Sequence, residues 1–429
     1  MSRLKSLMSK TRSCNKNSLI ILVTILFVGS SLRIIVATRG YNCDVAAFMH
    51  WARGIQEVGL RGNIYSDTMY DTYGPIWAYL LYMIDNISAI MGFSLSTAFD
   101  MKPIQNVLVQ NNYRGFVTED IIGFRYVLAI FLTLVDIGIF FVLLRKYSMI
   151  IGTLFFLNPI AVIITGYHNQ FGNLAILIGL FAIIIFGESV DEKLGWRKIA
   201  GLVLLGVSIT TKHLLFLFPL WLAIKQKGLT QKVVVLTLPL IIFFVSFMPY
   251  WEGGSDVIIS KTFLMKGWEH SPFWRIFLPQ VFSYFIPNRF FMFAGLIIFA
   301  FVFRKRNVFD SLLIYTACLI LFMTSVGNQR LAVVVPFMSV YFNWFFLIYT
   351  VYGAFHLMTD VSALSITGLR DISPHILLDE RNFYYLTVIL FIGILWIFYK
   401  ETMITKCTAL LIKVKDVIAK EIRFQIKGE

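Results

Sequence analysis

Charge is scarce in this chain. Only 14% of its 429 residues are Asp, Glu, Lys or Arg, whereas 58% are hydrophobic and 16% aromatic, and the mean hydropathy is +0.75. Soluble domains carry about 25% charged residues, so a set of soluble domains is excluded as the main architecture. Cysteine is scarce too: Cys14, Cys43, Cys318 and Cys407 fall in a basic tail, the first loop, an apolar run and the C-terminal tail. That distribution argues against a disulfide framework and lacks metal-type spacing. The phosphate loop, the dinucleotide fingerprint, the zinc-protease helix and the nucleophile elbow are all missing. Internal repeats and low-complexity segments are not visible, which weakens an inverted-repeat transporter.

What the chain has instead is apolar runs. "SLIILVTILFVGSSLRIIVAT" and "FYYLTVILFIGILWIFY" approach or reach the roughly 20 residues a helix needs to cross a bilayer. An all-α polytopic membrane protein is expected. The net charge of +14 does not imply nucleic acid, because the basic residues gather at the ends of apolar runs, as the positive-inside rule requires. The N-terminal stretch is too long and polar for a cleavable signal, so the first helix is expected to be an anchor.

Charge also sets the expected path. The tail 1–17 with Arg3, Lys5, Lys10, Arg12 and Lys16 stays in the cytoplasm, residues 18–38 run outward, and Asp44 emerges on the far side. Arg145 and Lys146 end an inward span over 121–144. That leaves residues 76–93 no room for a full crossing, so they are read as re-entrant or lying in the outer leaflet. Residues 148–166 go out, "YHNQFGN" turns at 167–173, and 174–187 return. The stretch around Lys212 has basic residues at both ends, so two short helices meeting at Lys212 fit better than one crossing. Residues 232–249 go out, 250–288 form an outer loop, and 289–303 return to "RKR" at 304–306. Residues 308–326 lead out to Arg330. The chain then dips in and back through two short helices before a last span over 383–400. At 1.5 Å per residue the dip is short for two crossings.

On this path the unusual polar residues share one surface: Asp44, Asp67, Asp71, Tyr73, His168, Gln170, Lys212, Glu269, His270 and Arg330. Ionisable groups at membrane depth are costly unless paired or facing a wet cavity, so an acid-plus-cation cluster is a site expectation. Each member also has a plainer reading. Asp44 precedes Phe48, Trp51, Ile55 and Val58 at helical spacing, with His50, Arg53 and Glu57 opposite, so it is equally a helix N-cap or a base. Asp67 and Asp71 fit a turn better than a metal. His168 is a helix-end polar residue or a ligand to substrate, and Arg330 is a cation of the site or an interface anchor. Lys212, alone in an apolar stretch, needs an anion or a carboxylate. The Asn86-Ile87-Ser88 sequon lies inside an apolar run and is read as chance.

These residues form a recognisable series. "DVAAFMHWARGI" followed by "YDTYGPIWAYL" resembles the first outer loop of the polytopic GT-C glycosyltransferases that use a polyprenyl-phosphate sugar. The nearest likeness is to the dolichyl-phosphate-glucose glucosyltransferases, with the GPI-anchor mannosyltransferases and bacterial relatives beside them. Asp71-Thr72-Tyr73-Gly74-Pro75 stands where those enzymes have Asp-Tyr-Pro-Pro, with one residue more and one proline fewer. "NPIAVIITGYHNQFGNLAILIGLFAI" and "SITTKHLLFLFPLWL" are similar to their His-x-Gln-aromatic turn and lysine-containing segment. "MKGWEHSPFW" loosely matches their donor-side loop, and "NQRLAVVVPF" looks like the late outer segment of the bacterial relatives. The likeness covers roughly residues 18–340 in order.

The resemblance implies a GT-C-like bundle of roughly 10–12 transmembrane helices with an interfacial amphipathic helix in the first outer loop. Its expected divisions are a transmembrane module over 18–250 that includes the loop 39–75, a donor-side loop over 251–288, a variable module over 289–400 and a basic tail from 401 to 429. It implies an inverting hexosyltransferase with Asp44 as general base. Lys212, Arg330 and His168 would hold the donor phosphate, and Asp71, Tyr73, Gln170, Glu269 and His270 would bind substrate. No metal and no cofactor are expected, since a phosphodiester is already a good leaving group. The expected partners are a polyprenyl-phosphate-linked sugar donor, a glycan or lipid-linked acceptor and membrane lipid, with no nucleic acid. A bacterial inner membrane is favoured over the endoplasmic reticulum. The rivals are a lipid or sugar transporter and a polysaccharide polymerase or ligase using a diphosphate-linked donor.

Overall fold

The computed structural model describes residues 16–59, 64–65, 73–93, 114–115, 119–188, 194–263, 288–323, 327–360, 363–366, 368–369 and 383–402. These are almost wholly helical. Turns and short links join the helices, and the strands among the described residues are one pair of two residues each, β1 (Tyr41–Asn42) and β2 (Arg114–Gly115), joined antiparallel.

Helix α1 (Lys16–Ala37) leads through β1 to α2 (Cys43–Val58), then α3 (Pro75–Ile90), and after β2 to α4 (Glu119–Lys146). Next come α5 (Met149–Phe156), α6 (Pro159–Gly166), α7 (Gly172–Phe186), α8 (Trp196–Thr211) and, after a 3-10 turn, α9 (Phe218–Lys225). Helices α10 (Leu229–Val245), α11 (Trp251–Val257), α12 (Asn288–Val302) and α13 (Val308–Phe322) follow. A 3-10 stretch (Asn328–Val334), α14 (Val335–Val340), α15 (Trp344–Thr359) and α16 (Phe383–Thr402) complete the described chain.

This is an all-α membrane protein. Among the described residues four helical segments are long and apolar enough to cross a bilayer: Asn17–Ala37, Ile121–Lys146, Leu229–Ser260 and Phe383–Thr402. A fifth span exists if α5 and α6, bent by 50° at their break, are counted together. Helices α7, α12, α13 and α15 and the segment His213–Lys225 are apolar but shorter. The expectation of roughly 10–12 spans counts such short helices as crossings.

One end of the bundle collects the basic residues. Lys146 pairs with Glu188 and Arg306 with Glu401, while Lys225 donates to the carbonyls of Phe303, Arg304 and Arg306. Both basic ends of the stretch around Lys212 thus lie at this end: α8 starts beside the end of α7, with Lys198 over the Phe186 ring, and α9 finishes at Arg304. The chain reverses at Lys212, whose backbone is extended (φ −154°, ψ 131°) between the two helices. Helix α3 fits the same frame. A Cβ on Gly74, its N-cap, would collide with the Thr210 carbonyl, and one on Gly123, near the start of α4, would collide with Phe93 just past its end. Both termini of α3 therefore sit at the end opposite the basic one.

Three expectations change. The span read over 148–166 is interrupted, because Asn158 caps α6 through its own side chain and Pro159 cannot continue α5. The stretch expected as an outer loop from residue 250 is helical as far as Phe263, and residues 264–287 lie outside the described residues. The stripe Phe48, Trp51 and Ile55 of α2 faces protein rather than lipid and is fully buried, while Val58 is exposed. The inward dip after Arg330 has its explanation as well: the 3-10 stretch rises about 2 Å per residue, so it covers more depth than an α-helix of equal length. Tyr341 arrives beside Asp310 and Arg306, and α15 returns to Asn328.

At the centre lies a charge pair. The Nε of Arg33 donates to Asp136 Oδ2 at 2.9 Å and both side chains are fully buried. Arg33 Nη1 donates to the carbonyls of Gly29 and Phe156, and Asp136 also accepts from Thr165 and Asn173, each at 2.7 Å. This pair draws α1, α4, α5, α6 and α7 to one point. Removing one partner leaves an uncompensated charge in low dielectric, so Arg33→Met is expected to cost about 3–5 kcal/mol. Arg33→Met with Asp136→Leu recovers a large part of that loss. Thermal midpoints of the purified variants in detergent check both outcomes.

Candidate functional site

The site is built on the end of α1 and the turn between α6 and α7. Arg125 of α4 is buried and gathers four carbonyls through Nη2: those of Ala37, Gly40, Gly166 and Tyr167, at 2.8–3.4 Å. One guanidinium thus ties the chain leading to Asp44 to the turn carrying His168 and Gln170. That turn needs Asn169 at positive φ (46°), a conformation that Asn tolerates better than most residues.

The helix cap at α2 is not Asp44. Asn42 holds that position, its Oδ1 accepting from Val45 N at 3.4 Å. With Oδ1 turned to the backbone, Asn42 Nδ2 faces two site residues: it donates to Asp44 Oδ2 at 3.1 Å and to His168 Nδ1 at 2.6 Å. His168 then carries its proton on Nε2, which is buried and has no partner among the described residues. Because a neutral amide does the capping, the Asp44 carboxylate in the first turn is left to other contacts.

Gln170 supplies them. Its Nε2 donates to Asp44 Oδ2 at 2.8 Å, and its Oε1 accepts from Lys212 Nζ at 3.0 Å. An amide has both a donor and an acceptor, so it joins the acid to the ammonium without letting them neutralise each other by direct contact. Arg330, in the 3-10 stretch, lies close enough to couple electrostatically to Asp44 and Tyr73. Burial pushes the Asp44 carboxyl above its ordinary value, while Lys212, Asn42, Arg330 and Gln170 pull it back down.

Aromatic rings floor this chain of contacts. Lys212 Nζ sits 4.5 Å from the Phe171 centroid and 5.2 Å from that of Tyr73. Phe171 stacks on Trp77 at 3.8 Å, and Phe48 meets Trp77 edge-on at 5.4 Å. Cations over such faces gain most where water is thin.

Of the residues singled out from sequence, Asp44, Gln170 and Lys212 are brought into one hydrogen-bonded chain. Arg330 and Tyr73 border it, and His168 joins it through Asn42. Asp67, Asp71, Glu269 and His270 lie outside the described residues. Sequence reasoning gave Phe48 only as part of the apolar stripe of α2 and missed Asn42, Trp77, Phe171 and a neighbouring group formed by His356, Asp360 and Asn328. In that group His356 Nε2 lies 2.8 Å from Asn328 Oδ1 and 3.4 Å from Asp360 Oδ2, and Asn328 Nδ2 donates to Asp360 at 2.9 Å. His356 and Asp360 act electrostatically on His168. The signal that could have found Asn42 is an Asn before a helix opening on an acid.

Asn42→Ala removes the cap and both bridges, so the first turn of α2 is expected to lose about 1 kcal/mol of protection. Hydrogen exchange measured on a peptide spanning residues 41–49 reads this directly, and Asn42→Ser, which keeps a capping oxygen without adding a charge beside Asp44, should restore most of it. No protein-family model, curated protein or solved structure matches this chain.

Proposed function

We propose that this chain is an integral-membrane glycosyltransferase of GT-C-like architecture. It moves a hexose from a polyprenyl-phosphate-linked donor to a hydroxyl of a glycan or lipid-linked acceptor on the non-cytoplasmic face. The observation that carries this reading is a carboxylate separated from a lysine ammonium by a single amide, Asp44–Gln170–Lys212, at the end of the bundle away from the basic residues.

In this mechanism Asp44 takes the proton of the acceptor hydroxyl as its oxygen bonds to the anomeric carbon. The bond from that carbon to the phosphate oxygen breaks, and the polyprenyl phosphate departs with one more negative charge. Lys212 and Arg330 stabilise that charge, and His168 offers Nε2–H to an oxygen. With Asp44 acting as a base and not as a covalent nucleophile, there is one displacement and hence inversion. The setting proposed is a bacterial inner membrane with an undecaprenyl carrier, with the endoplasmic reticulum as the alternative.

A transporter is the second reading, favoured by the helix breaks at Asn158 and Lys212, since broken helices also line cargo sites. A polymerase or ligase taking a diphosphate-linked donor is the third.

Asp44→Asn assayed with purified polyprenyl-monophosphate hexose should lose about 10²–10⁴-fold in turnover while still binding the donor. Normal turnover in that variant removes the assignment. Movement of the donor without bond cleavage supports transport, and turnover only with a diphosphate donor supports the polymerase. The pH profile adds a further test. A base acts as its carboxylate, so kcat/KM rises with pH through the Asp44 titration. Lys212→Gln removes a charge that favours the carboxylate, so the acid limb is expected to move to higher pH. An unmoved limb would uncouple Lys212 from Asp44.

A further inference from the structure

At the opposite, basic end of the bundle a groove of about 810 Å³ opens between α4 and α7. Phe141 of α4 and Phe181 and Ile184 of α7 form its walls, and each is 43–47% exposed, so protein does not cover them. Arg145 and Lys146, in the last turn of α4, stand at its mouth beside Glu188. Lys146 pairs with Glu188 and lies 5.4 Å from the Phe309 centroid, whereas no carboxylate of the described residues pairs with Arg145.

We infer that this groove binds one anionic glycerophospholipid, with its phosphate on Arg145 and Lys146 and part of an acyl chain along Phe141, Phe181 and Ile184. The charges decide the head group: among the described residues two cations stand against one carboxylate at the mouth, at the end where basic residues collect, and basic side chains there attract anionic lipid. The walls decide the tail, because a soluble phosphate would leave them uncovered. Depth decides between lipids. From Arg145 to Gly138 α4 descends about 10 Å. At Gly138 the groove closes, since a Cβ there would already lie 2.7 Å from Leu177 Cδ2. That length takes up a good part of an ordinary acyl chain, whereas most of a polyprenyl carrier would be left outside the groove. The inference does not rest on the transferase reading, as these residues are remote from Asp44.

The full chain, purified from nanodiscs of phosphatidylcholine containing phosphatidylglycerol, is examined by native mass spectrometry during stepwise delipidation. The wild type should retain one phosphatidylglycerol in preference to phosphatidylcholine. Arg145→Gln with Lys146→Gln should reduce that retention roughly 30-fold, the loss expected when two basic side chains near an anionic lipid are neutralised. Glu188→Gln should raise retention, a gain that no folding defect would mimic. Arg304→Gln with Lys305→Gln changes the charge of the same end equally but lies off the groove, and should leave retention unchanged. Equal retention of both lipids overturns the inference. So does undiminished retention in the first double variant at an unchanged thermal midpoint, an equal loss in the Arg304 and Lys305 control, or displacement of phosphatidylglycerol by a polyprenyl phosphate.

Discussion

A charge taken out of water has to bring its solvation with it, and in this molecule that constraint centres on Asp136. Its two oxygens receive Arg33, Thr165 and Asn173, and Arg33 in turn is held by the carbonyls of Gly29 and Phe156. Apart from the Gly29 carbonyl, which belongs to the same helix as Arg33, each partner comes from a different helix, so satisfying this carboxylate and its guanidinium fixes where five helices meet. Apolar packing alone would leave these helices free to slide, because lipid is as good a neighbour for Leu or Ile as another helix is. The ion pair therefore supplies position more than stability.

Position at the centre becomes position at the site through Arg125, which lies about three turns before Asp136 on α4 and reaches the end of α1 just past Arg33. It holds the last carbonyls of α1 and α6, which are helix C-termini and carry partial negative charge. The chain leading to Asp44 and the turn bearing Gln170 are thereby set side by side by the fold itself. Preorganisation of this kind matters most where charge develops in a reaction, since no rearrangement is then needed at that moment. The aromatic floor of Phe48, Trp77 and Phe171 thins the water around Lys212 and so strengthens each interaction it makes.

Much of the architecture was legible in the sequence because charge at the ends of apolar runs leaves few paths. The reversal at Lys212 and the same-side placement of both ends of α3 follow from where basic residues can stand. The break at Asn158-Pro159 was present as a dipeptide but was masked by a run of the right length for a span. Arg33 and Asp136 could not be paired by reading. They are 103 residues apart, and each is a lone charge in its own apolar stretch. Within the site, Asp44, Gln170 and Lys212 stood out as polar residues in apolar surroundings. Asn42 did not, because its role depends on which way a neutral amide is turned, and that is decided by Val45 N–H. The aromatic rings were hidden by abundance, in a chain with 41 phenylalanines.

The 3-10 stretch from Asn328 to Val334 does more than gain depth. With three residues per turn, each position is rotated about 120° from the last, and side chains three apart stand in line. Leu331 and Val334 form one such buried row. Inserting or deleting a single residue here would swing the Arg330 guanidinium a third of a circle away from Asp44 while leaving the apolar content of the segment nearly intact. Length in this segment is therefore an angular setting, and natural variation in this protein should tolerate changes of residue type there far more readily than changes of count.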